Sequence, residues 1–194
     1  MTRIYMVRHG KAAAGWDADT DPALDETGQG QAERVAEYLD AEVGRAPIFS
    51  SPLRRCRETA APLAARWGVE VEIEPRVAEI PSPTSDLQER GVWLRRVMGG
   101  SWDELAADSN THDYAAWMRG VGEGLLARAA DVPAIVVFSH FIALNAALNI
   151  ATGAGGKGAM MAFRPDNASV SVFAVSDGNL TLIEAGTEAA THVG

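Results

Sequence analysis

The segment IYMVRHG at residues 4–10 joins four apolar residues directly to an arginine, a histidine and a glycine. So short an apolar run predicts a buried β-strand over Ile4–Val7. A cationic pair that follows a buried strand at once costs stability unless it serves a site. We therefore expect Arg8 and His9 to lie at a functional site, and Gly10 to let the backbone turn sharply and approach a ligand closely.

Strand-like and helix-like segments alternate through most of the remaining chain. Apolar residues at helical spacing predict a helix from Thr27, its expected N-cap, to Val43, with Gly44 as the stop. Two further helices are predicted over residues 53–67 and 142–152. Besides residues 4–7, strands are predicted at residues 47–50, 69–73, 134–138, 169–175 and 180–183.

This alternation predicts a three-layer α/β/α sandwich with a mostly parallel central sheet. The almost purely apolar strand at 134–138 is expected at its centre, covered on both faces. The Asp177-Gly178 pair is expected to close a terminal β-hairpin. Ligands of such folds bind beyond the carboxyl ends of the strands. We expect one domain over residues 1–194, with an irregular insertion at about 81–122 that packs over the active site at that end of the sheet.

Composition narrows the function and the compartment. The 194-residue chain is long enough for one well-buried core, and its formal net charge of −9 lacks the basic surface expected for nucleic acid or an anionic membrane. Cys56 is the only cysteine, so no intrachain disulfide is possible. No apolar stretch approaches the roughly 20 residues of a membrane span. We therefore expect a cytoplasmic protein that binds neither nucleic acid nor membrane.

A second polar cluster opens the second predicted helix. The segment SSPLRRCRETA at residues 50–60 carries three arginines close to a helix N-terminus, where free N–H groups and the helix dipole favour anions. Arginine adds a planar, permanently charged fork that grips two phosphate oxygens at once. We interpret Arg54 and Arg57 as solvated residues of a helix face that can pair with Glu58, which leaves Arg55 as the candidate anion ligand.

A third cluster, Ser139-His140, follows the central apolar strand. A lone histidine beside an apolar run is more often a core residue than a catalyst, but His140 shares its position at a strand end with His9. Two histidines and two arginines at one edge of a sheet suit phosphoryl transfer. Catalysis of that reaction consists mainly of positioning and charge stabilisation.

These motifs, in their order along the chain, resemble the histidine phosphatase superfamily with its phosphoglycerate-mutase-like fold. The matching segments are RHG at residues 8–10, LDETG at 24–28, SPLRRCRETA at 51–60, the strand that ends at His140, and NASVSV at 167–172. The ordered combination is far more specific than any one of its motifs.

The resemblance implies a role for each matching residue. His9 would be the nucleophile that accepts the phosphoryl group. Arg8, Arg55 and His140 would bind and stabilise its oxygens, and Gly10 would belong to the same substrate-binding set. The resemblance implies no metal and no other cofactor.

Glu79 falls where many members of the superfamily carry the acid that protonates the leaving group, so its pKa should be raised by burial and neighbouring negative charge. The chain also departs from the pattern in two places. Lys11 and the AAAG that follows it replace common substrate contacts, although Lys11 could contact the substrate itself. Phe141-Ile142 replaces a common glycine pair after His140. These changes keep the phosphate-binding core but weaken the case for mutase activity.

The sequence thus predicts a metal-independent phosphatase, a histidine acid phosphatase-like phosphoric monoester hydrolase that forms a phosphohistidine on His9. Its partner would be a small phosphorylated metabolite or a phosphoprotein, and the resemblance makes a homodimer possible. Two alternatives stay open: a phosphoglycerate mutase-type phosphotransferase, and a non-catalytic module that binds phosphate.

Overall fold

One six-stranded sheet organises the part of the chain that the computed structural model describes, residues 1–108 and 112–188. The strands are β1 (Thr2–Arg8), β2 (Ile48–Ser50), β3 (Val71–Ile73), β4 (Ala134–Ser139), β5 (Ser169–Ser176) and β6 (Asn179–Glu188). The helices are α1 (Glu26–Glu42), α2 (Arg54–Trp67), α3 (Leu87–Gly99), α4 (Trp102–Ala107), α5 (Tyr114–Arg128) and α6 (Phe141–Ala151), with a 3₁₀ turn at Pro75–Val77. Across the sheet the order is β3-β2-β4-β1-β5-β6.

The sheet is mixed, which corrects the mostly parallel sheet that the sequence predicted. β3, β2, β4 and β1 run parallel, but β5 pairs antiparallel with β1, and β6 pairs antiparallel with β5. A two-residue turn joins β5 to β6, and strands joined so tightly can only be antiparallel. Asp177 and Gly178 have the positive φ angles, 52° and 75°, that this class of turn requires. The predicted terminal hairpin is therefore confirmed.

Helices cover both faces of the sheet, as the predicted three-layer sandwich requires. Successive side chains of a strand point to opposite faces. Ile4 and Met6 pack with α3, α5 and α6, whereas Tyr5 and Val7 pack with α1 and α2. β4 lies between β2 and β1 and is buried from Ile135 onward, which explains why its sequence is apolar without alternation.

The helix ends show how local sequence determines where each helix begins and stops. The N-cap of α1 lies two residues before the expected one, because Asp25 rather than Thr27 accepts the hydrogen bond of the Gly28 N–H, at 2.7 Å. Gly68, with a φ of 61°, ends α2 in the left-handed conformation as predicted. None of the helices within the described residues has the length and apolarity needed to cross a membrane.

The region predicted as an irregular insertion contains α3, α4 and most of α5. It packs onto one face of the sheet, where Trp93 and Trp102 are buried in the core. α5 continues to Arg128, six residues beyond the predicted boundary of the region. The domain predicted over residues 1–194 includes residues 109–111 and 189–194, which lie outside the described residues.

The register of the parallel strands determines which loops meet at their carboxyl edge. Arg8 of β1 lies opposite Ser139 of β4, and Ser50 of β2 lies opposite Phe138 of β4. The three strands thus end at nearly the same level. The loops that follow them therefore start side by side at one edge of the sheet.

Candidate active site

His9 and His140, predicted to share a site, meet at this edge. The backbone N–H of His9 donates to the carbonyl of Ser139 at 2.9 Å, which ties the two strand ends together. The two imidazole rings lie edge to face, with centroids 5.3 Å apart. Exposed fractions of 6% for His9 and 0% for His140 place both rings inside the protein.

The hydrogen bonds of His9 determine its tautomer. Nδ1 lies 2.7 Å from the carbonyl oxygen of Gly10, which can only accept, so Nδ1 carries the proton. Nε2 accepts a hydrogen bond from Nε of Arg55 at 3.2 Å, so its lone pair is free of a proton. Burial, followed by the charge of Arg55, lowers the pKa of His9 to about 3. His9 is therefore neutral at ordinary pH, with a lone pair on Nε2.

Gly10 is required by close packing. It does not adopt a positive φ, so its backbone conformation does not by itself demand glycine. A Cβ at this position would lie 2.6 Å from the carbonyl oxygen of Gly28, at the start of α1. Its N–H donates to Oγ1 of Thr59 at 3.0 Å, and its carbonyl accepts from His9. Its contact with substrate stays a prediction.

Arg55 is the buried arginine of the three that open α2. Its side chain is 2% exposed, and its ion pair with Asp21 is long, with 3.9 Å between Nη1 and Oδ1. Arg54 and Arg57 are exposed, and Arg54 pairs with Glu58 at 2.6 Å, as the sequence predicted for these two residues. Of these three arginines, only Arg55 is therefore directed into the site.

Arg8 lies between a carbonyl oxygen and an aromatic ring. Nη1 donates to the carbonyl of Pro165 at 2.9 Å, and Cζ lies 5.0 Å from the ring centroid of Phe141. Burial lowers the pKa of Arg8, while the carboxylates of Glu79 and Asp166 oppose this effect. The guanidinium is thus held next to His9 without a close carboxylate of its own.

Three guanidinium nitrogens at this site, Nε of Arg8 and both terminal nitrogens of Arg55, are buried without a hydrogen-bond partner among the described residues. An unpaired buried donor costs roughly 1–3 kcal/mol, and more when it is charged. Such donors around a neutral histidine nitrogen fit an anion with several oxygen atoms, above all phosphate. Within residues 1–108 and 112–188, no group of three or more His, Cys, Asp or Glu side chains is arranged to hold a metal ion.

His140 is oriented by the serine that follows β2. Its Nε2 lies 2.7 Å from Oγ of Ser51 and 3.3 Å from Sγ of Cys56. Burial and the charge of Arg55 lower the pKa of His140 well below its usual value, so the ring is neutral. Burial also raises the pKa of the Cys56 thiol, which keeps that side chain uncharged.

Glu79 lies beside the first turn of α6. It is half-buried, with Oε1 accepting from the N–H of Ile80 at 3.1 Å and Oε2 accepting from the N–H of Ile142 at 3.5 Å. Burial raises the pKa of Glu79, and these N–H groups and Arg55 partly oppose the rise. The predicted direction is correct, and of the two predicted causes it is burial, rather than neighbouring negative charge, that raises the pKa.

Several residues that support the site were not assigned a role from the sequence. Thr59, Ser51 and Asn167 lie in segments that were recognised, and Asn167 donates from Nδ2 to the carbonyl of His9 at 3.0 Å. Arg90, in α3, donates to the carbonyls of Trp16 and Asp19 at 3.4 Å. Because no pattern marks Arg90, sequence reasoning missed it.

Lys11, which the sequence left open as a substrate contact, pairs with Asp25. Its Nζ lies 3.0 Å from Oδ2 of Asp25, and its side chain is exposed. Its backbone N–H donates to Oε1 of Gln31 at 2.8 Å. These bonds hold the loop after β1 against the start of α1.

The model of the histidine phosphatase superfamily (branch 1) matches residues 4–187. A probable phosphoglycerate mutase of Photorhabdus laumondii is 34% identical over 130 residues, covering 55% of this chain and 59% of the relative. An uncharacterized protein of Mycobacterium tuberculosis is 31% identical over 151 residues, covering 68% of this chain and 74% of that protein. The match thus spans little more than half the length of the Photorhabdus relative.

Solved structures share the fold over nearly the whole chain. A phosphoserine phosphatase mutant from Entamoeba histolytica, in complex with phosphoserine, has a TM-score of 0.75 at 21% identity, with 100% of both chains covered. A mycobacterial glucosyl-3-phosphoglycerate phosphatase in complex with VO3 has a TM-score of 0.69 at 22% identity, with 96% of this chain and 100% of that chain covered. At such identities the likeness establishes the fold and not the substrate.

Proposed function

The chain belongs to the histidine phosphatase superfamily, and we propose that it hydrolyses a phosphomonoester through a phosphohistidine intermediate on His9. One observation carries this proposal. Arg8 and Arg55, which adjoin His9 in the chain and in space respectively, keep buried nitrogens without hydrogen-bond partners among the described residues, and Nε2 of His9 is unprotonated. This arrangement combines a nucleophile with donors for the oxygens of the group that it attacks.

The first step transfers the phosphoryl group to His9. Arg8 and Arg55 bind the phosphoryl oxygens, and the Nε2 lone pair forms a bond to phosphorus as the bond to the ester oxygen breaks. The Nε–H of Arg55, which now donates to Nε2 at 3.2 Å, turns to a phosphoryl oxygen. Nδ1 keeps its proton and its hydrogen bond to Gly10, which stabilises the positive charge that develops on the ring.

Glu79 supplies the proton that the leaving oxygen needs and later recovers it. The protonated carboxyl of Glu79 donates to the ester oxygen, so the alcohol leaves neutral and Glu79 becomes a carboxylate. The carboxylate then accepts a proton from water, whose oxygen attacks phosphorus as the bond to Nε2 breaks. Inorganic phosphate leaves, and His9 and Glu79 return to their starting states.

The substrate would be a small phosphorylated metabolite or a phosphoprotein, in a cytoplasmic setting. Relatives described as phosphatases acting on phosphoserine and glucosyl-3-phosphoglycerate support the hydrolytic reaction. The probable phosphoglycerate mutase from Photorhabdus supports a second candidate, a transfer of the phosphoryl group from His9 to another hydroxyl. The KAAAG segment after Gly10 favours the phosphatase, because common mutase contacts are absent from it.

The test is hydrolysis of a generic aryl phosphate across about pH 5 to 8 with chelator present. We expect turnover in wild type and a loss of roughly 10³-fold or more in His9→Ala, with an acid-labile phosphoprotein trapped only in wild type. His112→Ala is the matched control, because His112 is exposed and contacts the carbonyl of Ser82 instead of the site.

Each other outcome contradicts a stated part of the proposal. Activity that survives in His9→Ala rules out the phosphohistidine route. Activity lost on chelation rules out a metal-independent reaction. Phosphoryl exchange that needs a bisphosphorylated primer, with little net hydrolysis, favours the mutase.

A further inference from the structure

Phe141 is the residue by which this chain departs from its superfamily directly beside His140, and its ring lies under the guanidinium of Arg8. Cζ of Arg8 is 5.0 Å from the ring centroid, and Phe141 is 6% exposed. We propose that Phe141 is a positioning residue, whose aromatic face holds the Arg8 guanidinium in the orientation that presents its Nε to a phosphoryl oxygen. This inference rests on the proposed function of the site.

Arg8 needs such support because little else holds it. Among the residues that the structure describes, a single hydrogen bond holds this guanidinium, from Nη1 to the carbonyl of Pro165 at 2.9 Å. One bond at one corner leaves a planar group free to tilt. The Phe141 ring limits that freedom, since the negative face of an aromatic ring attracts a cation within about 6 Å of its centroid. The ring attracts the cation without occupying the N–H donors that a phosphate needs.

The ring of Phe141 is itself fixed. Phe141 is the first residue of α6, which is buried along most of its length, and its carbonyl accepts a hydrogen bond from Nδ2 of Asn145 at 3.0 Å. The side chain also belongs to the main core cluster on that face of the sheet. Because His140 is the N-cap of α6, one helix start orients both His140 and the support of Arg8.

A second arginine-phenylalanine pair shows what such a contact does away from the site. Cζ of Arg128 lies 4.8 Å from the ring centroid of Phe49, but Arg128 also donates to the carboxylates of Glu74 and Glu72. There the ring adds to two ion pairs. At Arg8 the ring takes the place of the carboxylate, so the cation keeps an unpaired Nε for the ligand.

The experiment measures the binding of orthovanadate by calorimetry to Phe141→Leu and Phe141→Tyr. Leucine keeps an apolar side chain and loses the aromatic face, whereas tyrosine keeps the face. Phe173→Leu is the matched control, because Phe173 is a fully buried phenylalanine of the same core and lies in β5, outside the site. Thermal melting of each variant separates lost packing from lost binding. Should Phe141→Leu not fold, Phe141→Met, of similar volume, replaces it.

We expect Phe141→Leu to weaken vanadate binding roughly 3- to 30-fold, the range of a partly desolvated cation–π contact, with tyrosine and the Phe173 control within about twofold of wild type. In an Arg8→Met background, which removes the cation, the leucine change should weaken vanadate binding by less than about twofold.

Two results overturn the assignment: a Phe141→Leu protein that binds vanadate as wild type does, or an equal loss of vanadate binding in the Arg8→Met background. Wild type that binds vanadate without turnover contradicts the proposed phosphatase activity alone. Wild type that binds no vanadate overturns the phosphate site and, with it, the role of Phe141.

Discussion

Arg76 and Arg128 share one buried carboxylate, whereas Arg8 and Arg55 converge on a neutral histidine. The Glu74 cluster, formed by Glu74, Arg76 and Arg128, has Nε–oxygen distances of 2.7 and 2.8 Å around a side chain that is 3% exposed. In the other pair, three buried guanidinium nitrogens have no hydrogen-bond partner among the described residues, and the ion pair from Arg55 to Asp21 is 3.9 Å long. Arginine thus binds a carboxylate closely at one place and keeps buried donors without hydrogen bonds at another.

The difference indicates which pair was selected for stability and which for binding. A carboxylate between two arginines offsets the cost of removing charge from water. Buried guanidinium donors without hydrogen-bond partners lower the free energy of unfolding, and proteins keep such arrangements where function needs them. Both pairs use a phenylalanine ring, Phe49 for Arg128 and Phe141 for Arg8, so the aromatic contact does not distinguish them. The carboxylate does.

The strongest test of this comparison is Arg55→Met. We expect kcat/KM to fall by roughly 10²- to 10³-fold, because a donor to the transferring group is lost. The free energy of unfolding should stay within about 1 kcal/mol of wild type or increase. The reason is that an apolar side chain replaces a buried cation whose terminal nitrogens have no hydrogen-bond partner among the described residues. Steady-state kinetics and urea unfolding of the same preparation provide both quantities.

A large loss of stability in Arg55→Met would show that the arginine is structural. In that case the two arginine pairs would not differ in the way described above. Arg57→Met, at an exposed position of the same helix, controls for the change in charge and should alter neither quantity.

The next effect in size concerns the pH profile. Burial raises the pKa of Glu79, so its protonated form, the proton donor, persists to higher pH than in an exposed glutamate. Hydrolysis of an alkyl phosphate should therefore fall as the pH rises through that pKa. The pKa of His9 is lowered to about 3, so His9 stays neutral throughout the measured range. Its titration therefore does not reduce the rate at the acid end of the pH profile. Glu79→Gln should hydrolyse the alkyl phosphate roughly 10²-fold more slowly, and its rate should not change with pH over this range.

The choice of leaving group makes this prediction sharper. An aryl phosphate, whose leaving group needs less protonation, should lose less activity in Glu79→Gln than an alkyl phosphate does. Equal losses on both substrates would assign Glu79 a structural role. Glu70→Gln, at an exposed position, should leave the profile unchanged.

Much of the fold follows from patterns that are local in the chain. The short apolar run of β1, the unbroken apolar run of β4 and the Asp177-Gly178 turn each specify their own structure. The direction of β5 against β1 was not predictable in this way. It depends on which edge of the sheet a distant segment joins, and no residue within β5 encodes that choice.

The same distinction between local patterns and distant contacts applies to the site. Polar residues directly after apolar strands identified His9 and His140, and the position of Arg55 within its motif separated it from its two neighbours. Arg90 bonds to a residue 74 positions away, and Phe141 contacts Arg8 across 133 positions. Periodicity does not encode contacts between such distant residues. The need for glycine at position 10 likewise arises from a helix 18 residues away.

The smallest expected effect is that of Glu74→Gln, which removes the carboxylate of the Glu74 cluster. The two arginines lower the pKa of Glu74 to about 2, from an ordinary value near 4.5. Its ionised form therefore stabilises the fold above about pH 4.5, and this contribution is lost as the pH falls through about 2. At neutral pH the variant should lose roughly 1–3 kcal/mol of unfolding free energy, a range that allows for the solvent exposure of both arginines. Its kcat/KM should be unchanged.

Urea unfolding near neutral pH and again near pH 3 measures this effect. The difference in unfolding free energy between wild type and Glu74→Gln should be smaller at the lower pH. Glu72→Gln is the matched control: Glu72 is 61% exposed and pairs only at 3.2 Å with Arg128, so its loss should cost less than about 1 kcal/mol. If Glu74→Gln were as stable as wild type, full pairing would not stabilise this protein. The lack of close carboxylates at Arg8 and Arg55 would then carry no cost in stability, and their burial would not indicate selection for binding.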